Sequence, residues 1–245
     1  MNPLSISKAK YIKSLQLKKR RTEEGKFIVE GNKSVREFLA SDYSVEEVVG
    51  TEEFYNQLEN EILPESAYLC SVKSLSSLGA FKSNKSALAV VRIKQPGTLL
   101  IKSNEFVLAL DEINDPGNLG TIIRVADWYG INKLLLGNNS ADIYNPKVVS
   151  ATKGSLTRVT VYYVNLLECL AKYDGDILAA DMKGQPLSSI KTLNSGILLM
   201  GSESHGISHA LDPYITKRLT IPGRGRAESL NVAVATGIFC NHLLG

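Results

Sequence analysis

The sequence predicts an α/β protein: a parallel sheet flanked by helices over residues 105–245, preceded by a smaller α/β domain over residues 1–94. Three observations carry this expectation. Short apolar runs alternate with helical stretches along the chain. Phe106-Val107-Leu108-Ala109-Leu110 is continuously apolar, the pattern of a strand buried on both faces. Lys94-Gln95-Pro96-Gly97-Thr98 interrupts the alternation with a turn signal, which places a linker at residues 95–104.

Taken in order, Lys8–Arg21 reads as a helix ended by the Glu24-Gly25 break, Phe27–Val29 as a short strand, and Asn32–Ala40 as a helix with Val35, Phe38 and Leu39 on one face. Val45–Val49 is the next strand, Glu52–Glu61 an acidic helix, and Ala87–Val91 a further strand. Beyond the linker, Phe106–Leu110 leads into the loop Asp111–Gly117 and a helix from Asn118, expected as its N-cap, to about Tyr129. Strands are expected at Lys133–Leu136, Val159–Val164, Asp176–Ala180, Ile197–Met200 and Arg218–Ile221, and a final apolar helix over Ser229–Leu244.

Composition narrows the class. The 245 residues are 44% hydrophobic, enough for a sizeable core, and hold no apolar run of membrane-spanning length. The Lys-rich start lacks the apolar segment of a signal peptide, so a cytoplasmic location is expected. Cys70, Cys169 and Cys240 are scattered and contain no C-x-x-C pair, which argues against a disulfide framework or a structural zinc site. Lys8, Lys10, Lys13, Lys18, Lys19, Arg20 and Arg21 occur with no acidic residue among them. Such a run can follow a phosphate backbone, although a solvated helix has the same composition.

Several chemistries lack their motif. There is no phosphate-binding G-x-x-x-x-G-K-[ST], no G-x-G-x-x-G after the first strand of the α/β segment, and no G-x-S-x-G elbow. Gly223-Arg224-Gly225-Arg226 follows the last expected strand instead. His205 and His209 have metal-ligand spacing, but Glu203 lies outside the pair and Gly206 within it, so no metal is expected. What remains is three polar loops, each at the C-terminal end of an expected buried strand, the edge where open α/β sheets bind ligands. They are Asn114–Gly120, continuing to Arg124; Gly201–Gly206; and Ile221–Asn231. Singly, Asn118 and Ser229 read as helix caps, Glu203 as a loop carboxylate and Arg124 as a surface charge.

Together and in this order, Asn118-Leu-Gly-Thr-Ile-Ile-Arg124, Leu199-Met-Gly-Ser-Glu-Ser-His-Gly206 and Ile221-Pro222 with Glu228-Ser-Leu-Asn-Val232 resemble the three motifs of the SpoU/TrmH family of RNA ribose methyltransferases, part of the SPOUT class. Asn145-Pro146-Lys147 to Lys153-Gly154-Ser155 is similar to a further family stretch, and Gly25–Gly31 to the opening of its substrate-binding domain. The resemblance implies a trefoil-knotted methyltransferase domain after a small α/β RNA-binding domain, a homodimer, and S-adenosylmethionine bound in the knot without metal. It implies that Gly201, Ile221 and Leu230 contact the cofactor, largely through backbone, and that Asn118, Arg124, Glu203, Ser229 and Asn231 form the catalytic set. Two departures stand out: the Gly-Arg-Gly-Arg-Ala segment after Pro222, and Ala233 where a serine is common.

The implied activity is methylation of a ribose 2′-hydroxyl in ribosomal or transfer RNA. The alternatives are a non-catalytic RNA-binding or ribosome-assembly protein on the same fold, and methylation of a base. Arg124 is expected as a clamp on phosphate and developing alkoxide rather than as a base, because a guanidinium stays protonated below pH ~12. A phosphate or a water would then take the proton.

Overall fold

The computed structural model describes residues 2–58 and 62–245. The chain forms two compact units, one comprising the chain up to Gln95 together with Asp142–Thr157, the other Pro96–Ala141 with Arg158–Gly245.

The first unit holds strands β1 (Asn2–Pro3), β2 (Lys26–Glu30), β3 (Val45–Gly50), β4 (Ser66–Leu69) and β5 (Ala87–Arg92) in a mixed sheet of order β1-β4-β3-β5-β2. The single helix expected over Lys8–Arg21 is in fact two, α1 (Ile6–Ser14) and α2 (Lys18–Glu24). The break has a packing cause. Ile12 and Leu15 are fully buried against Ile28, Val49 and Leu88, and the chain turns after Leu15. Arg21 folds back to donate to the carbonyls of Leu15 and Gln16, at 3.1 and 2.7 Å, groups that the end of α1 leaves without helical partners. It is 3% exposed and pairs with Asp142 at 2.6 Å, so it is not a free phosphate ligand. Lys8 is tied to Glu47 and Arg20 to Glu23, whereas Lys10, Lys13 and Lys18 are exposed and have no partner among the described residues.

Helices α3 (Asn32–Leu39), α4 (Glu52–Asn56) and α5 (Val72–Leu78) follow. The acidic helix expected to run to Glu61 stops at Asn56, and Glu59–Glu61 lie outside the described residues. β4 and α5 were not expected: Ser66–Leu69 is only partly buried and Val72–Leu78 is serine-rich, so neither shows a strong hydrophobic period. The segment from Asp142 carries a helix, Pro146–Thr152 (α7 in chain order), with Val148 and Val149 buried. Tyr144 stacks on Phe27 at 4.6 Å between ring centres.

The second unit is built on β6 (Phe106–Leu110), β7 (Lys133–Gly137), β8 (Thr160–Val164), β9 (Ile177–Pro186), β10 (Gly196–Met200) and β11 (Lys217–Thr220). Every pairing is parallel and the order is β11-β9-β10-β6-β7-β8. Its helices are α6 (Pro116–Trp128), α8 (Leu166–Leu170) and α9 (Val232–Leu244). Val107 and Ala109 of β6 join Leu135, Ile177, Ile197 and Leu199 in a core covered by Leu166 and Leu170 of α8 and by Leu211. Leu99 and Ile101, from the expected linker, pack on that core. β6 and β10 lie side by side, with Leu110 opposite Met200, so the loops leaving them emerge together. The chain builds β7 and β8 on one side of β6 and places β9 and β10 on the other, which makes this edge the switch point of the sheet. No helix among the described residues is long and apolar enough to cross a membrane.

Candidate active site

The loop after β6 starts α6 three residues earlier than expected. Asp115 is the N-cap, its carboxylate accepting the Asn118 backbone N–H at 2.8 Å, and Pro116 takes the first helical position. An acidic cap followed by proline, whose φ is preset, outcompetes Asn118 for the role. Asn118 therefore sits inside the first turn with its side chain available for other contacts.

The loop after β10 is a tight reversal. Ser202 and Gly206 exchange backbone hydrogen bonds at 2.9 and 3.0 Å, and Gly206 has a φ of +68°. A Cβ on Gly201 would lie 2.2 Å from the Gly206 carbonyl carbon, so only glycine permits this closure. Buried Asp111 joins the first two loops: its backbone N–H donates to Met200 O at 2.9 Å, and its Oδ2 accepts the Ser208 N–H at 2.8 Å.

In the third loop Asn231 is the N-cap of α9, its Oδ1 accepting the N–H groups of Ala233 and Val234 at 3.0 and 3.3 Å. The final helix thus begins at Val232 rather than Ser229, because Asn231 supplies a side-chain cap and Ser229 makes no such bond. Ser229 lies in the exposed approach to the helix, and from Gly223 to Leu230 the backbone N–H groups have no partner among the described residues.

Three side chains, one from each loop, meet. Asn118 Nδ2 donates to Glu203 Oε1 at 2.9 Å, Asn231 Nδ2 donates to the same oxygen at 3.0 Å, and Asn231 Nδ2 also donates to Asn118 Oδ1 at 2.9 Å. Arg124 and Ser229 stand outside this network, exposed and without a partner among the described residues. Gly201 and Ile221 are half-buried at the ends of β10 and β11, and Leu230, 47% exposed, precedes Asn231. The two histidines are separately engaged, His205 Nδ1 with Ser204 Oγ at 2.8 Å and His209 Nδ1 with Asp212 at 3.2 Å. The sequence reading missed Asp111 and Asp115; the Asp115-Pro116 pair was a legible helix-start signal, while Asp111 carried none.

Known proteins are similar to this chain over nearly its whole length. Residues 105–241 match the model of the SpoU rRNA methylase family, and residues 7–81 match the MRM3-like substrate binding domain. Among characterised proteins, the chain is 33% identical to the 23S rRNA (guanosine(2553)-2′-O)-methyltransferase RlmP of Bacillus subtilis, over 97% of this chain and 96% of that one. Among solved structures, it is similar to a protein assigned to the TrmH family of RNA methyltransferases from Porphyromonas gingivalis, with a TM-score of 0.85 and 35% identity over 98% and 97% of the two chains. It is also similar to an rRNA methyltransferase from Sinorhizobium meliloti solved with AdoMet bound, with a TM-score of 0.84 and 26% identity over 99% and 95%.

Proposed function

The chain belongs to the SpoU rRNA methylase family and is an S-adenosylmethionine-dependent RNA ribose 2′-O-methyltransferase; on that premise we propose that Asn118, Arg124, Glu203, Ser229 and Asn231 are its methyl-transfer site. The observation that carries this reading is the amide–carboxylate network drawn from three loops at one sheet edge. Independent surface residues have no reason to converge in this way.

The residues fit the cofactor. The eight-residue stretch Gly223–Leu230 offers backbone N–H groups that have no partner among the described residues, and the Gly201–Gly206 turn packs its own backbone closely at the end of β10. Gly201, Ile221 and Leu230 would hold it. When bound, S-adenosylmethionine supplies a methyl group already activated by its sulfonium, so no metal is required. The protein's own task is alignment, which can contribute roughly 7–11 kcal/mol. Arg124, fixed on α6, would clamp the adjacent phosphate and stabilise charge growing on the ribose oxygen. Ser229 would orient the ribose, while Asn118 and Asn231 hold Glu203.

We take residues 1–94 as the RNA-binding part, 95–104 as the connection and 105–245 as the catalytic part, although Asp142–Thr157 belongs to the first compact unit and Leu99 and Ile101 to the second. The match to a substrate-binding domain and the exposed Lys10, Lys13 and Lys18 support the first assignment. The Bacillus relative supports 23S ribosomal RNA as substrate, and with it a cytoplasmic location. Thr121 and Trp128 lie exposed on α6, and Val234 and Ile238 on α9. Trp128 is 82% exposed, and so large an uncovered apolar group supports a homodimer across these helices. The trefoil threading belongs to the same family reading. The deciding experiment maps ribose methylation in cellular RNA with and without this protein: loss of one 2′-O-methyl group in 23S RNA is expected, and an unchanged map would remove the substrate assignment.

A further inference from the structure

We propose that Glu203 accepts the 2′-hydroxyl proton during methyl transfer, through the one carboxylate oxygen its neighbours leave open. The inference rests on the ribose-methylating reading of the site. Asn231 Oδ1 is committed to the backbone N–H groups of Ala233 and Val234, so this amide cannot be turned over. Its Nδ2 must therefore face the other two loops, and it donates to Asn118 Oδ1 and Glu203 Oε1. With its oxygen so used, Asn118 presents its own Nδ2, again to Glu203 Oε1. Every group contacting that carboxylate is a donor, and Glu203 enters the network purely as an acceptor. The asparagines use one of its two oxygens. Oε2 has no partner among the described residues, and the side chain is exposed at the sheet edge.

Elimination points the same way. Arginine stays protonated, and the side chains of asparagine and serine are not bases at neutral pH. Within the proposed set, Glu203 is the one side chain able to take a proton. Glu228, on the third loop, has no contact that orients it, and the His205 ring is engaged by Ser204. The step balances. The ribose oxygen forms its bond to the methyl carbon as the methyl–sulfur bond breaks with its electron pair left on sulfur. The O–H proton passes to Glu203 Oε2, giving the methyl ether, a neutral thioether and a carboxylic acid that later returns the proton to water. A cation and an anion disappear together. Because the hydroxyl becomes acidic only as the new bond forms, a weak base held in position is sufficient.

Glu203→Gln separates this role from loop holding, since it keeps an acceptor oxygen for both asparagines and replaces Oε2 with an amide that cannot take a proton. Its single-turnover rate should fall by about 10²–10⁴-fold, with cofactor and RNA dissociation constants unchanged. In the cofactor-free variant, the side-chain amide resonances of Asn118 and Asn231 should keep their wild-type positions, which a collapsed network would shift. Formate should partly restore the rate of Glu203→Ala. A near-normal rate for Glu203→Gln, or a defect wholly explained by lost binding, overturns the inference. Absence of methyl transfer by the wild-type protein would instead remove the reading beneath it.

Discussion

At the scale of single residues, the site separates groups that are held from groups that wait. Asn118, Glu203 and Asn231 are fixed by one another, whereas Arg124 and Ser229 point to solvent and find partners only with RNA in the proposed reading. Substitutions at two residues follow from that division. Arg124→Ala should leave S-adenosylmethionine affinity intact while lowering the single-turnover rate by roughly 10²–10³-fold, the scale of a lost transition-state charge contact. Arg124→Lys should recover only part of it, because the planar fork is lost. Asn231→Asp keeps the helix cap but turns the Nδ2 donor into an oxygen facing Asn118 Oδ1 and Glu203 Oε1. Unfolding midpoints should barely move, since Asp caps as well as Asn. The methylation rate should fall by about 10- to 100-fold, the equivalent of one charge-assisted hydrogen bond.

At the scale of elements, the three loops are made by helix starts and one close backbone approach. Asp115 and Asn231 spend side-chain oxygens on the first turns of α6 and α9, and this fixes where the remaining side chains point. The Gly201 turn depends on the absence of a Cβ. Gly201→Ala should open it at a cost of about 1–3 kcal/mol, and calorimetric affinity for S-adenosylmethionine should drop in parallel with the denaturation midpoint.

For the whole molecule, the basic N-terminal run divides its duties. Arg21, 4% exposed at its side chain, is structural through Asp142, and Arg21→Ala should destabilise the protein by about 3–5 kcal/mol in urea titrations because it strands a partly buried carboxylate. Replacing Lys10, Lys13 and Lys18 together by alanine should leave stability nearly constant. It should also flatten the salt dependence of RNA binding by about 2 in log–log slope, at ~0.7 per phosphate contact on single strands. An unchanged slope would mean that these lysines do not meet the RNA backbone. Trp128→Lys should shift sedimentation toward monomer if the exposed faces of α6 and α9 join two copies.

By itself the sequence determined the kind of protein and the three loops whose side chains meet. The apolar runs of β6, β7 and β10 are buried strands, and the three loops after β6, β10 and β11 hold the residues that meet. These features are local, set by hydrophobic period and by Gly, Pro and Asn in the turns, and so they survive reading in one dimension. Tertiary structure decided the rest. Which side chains of the three loops meet is set by contacts between segments far apart in the chain. The break between α1 and α2 depends on a core that Ile12 and Leu15 enter and on a carboxylate, Asp142, far along the chain. Glu203 stands as a hydrogen-bond acceptor with one open oxygen only because two amides from distant loops are oriented against it. Such contacts are set by strand order, which brings β6 beside β10, and nothing in the local pattern of either strand specifies its neighbour.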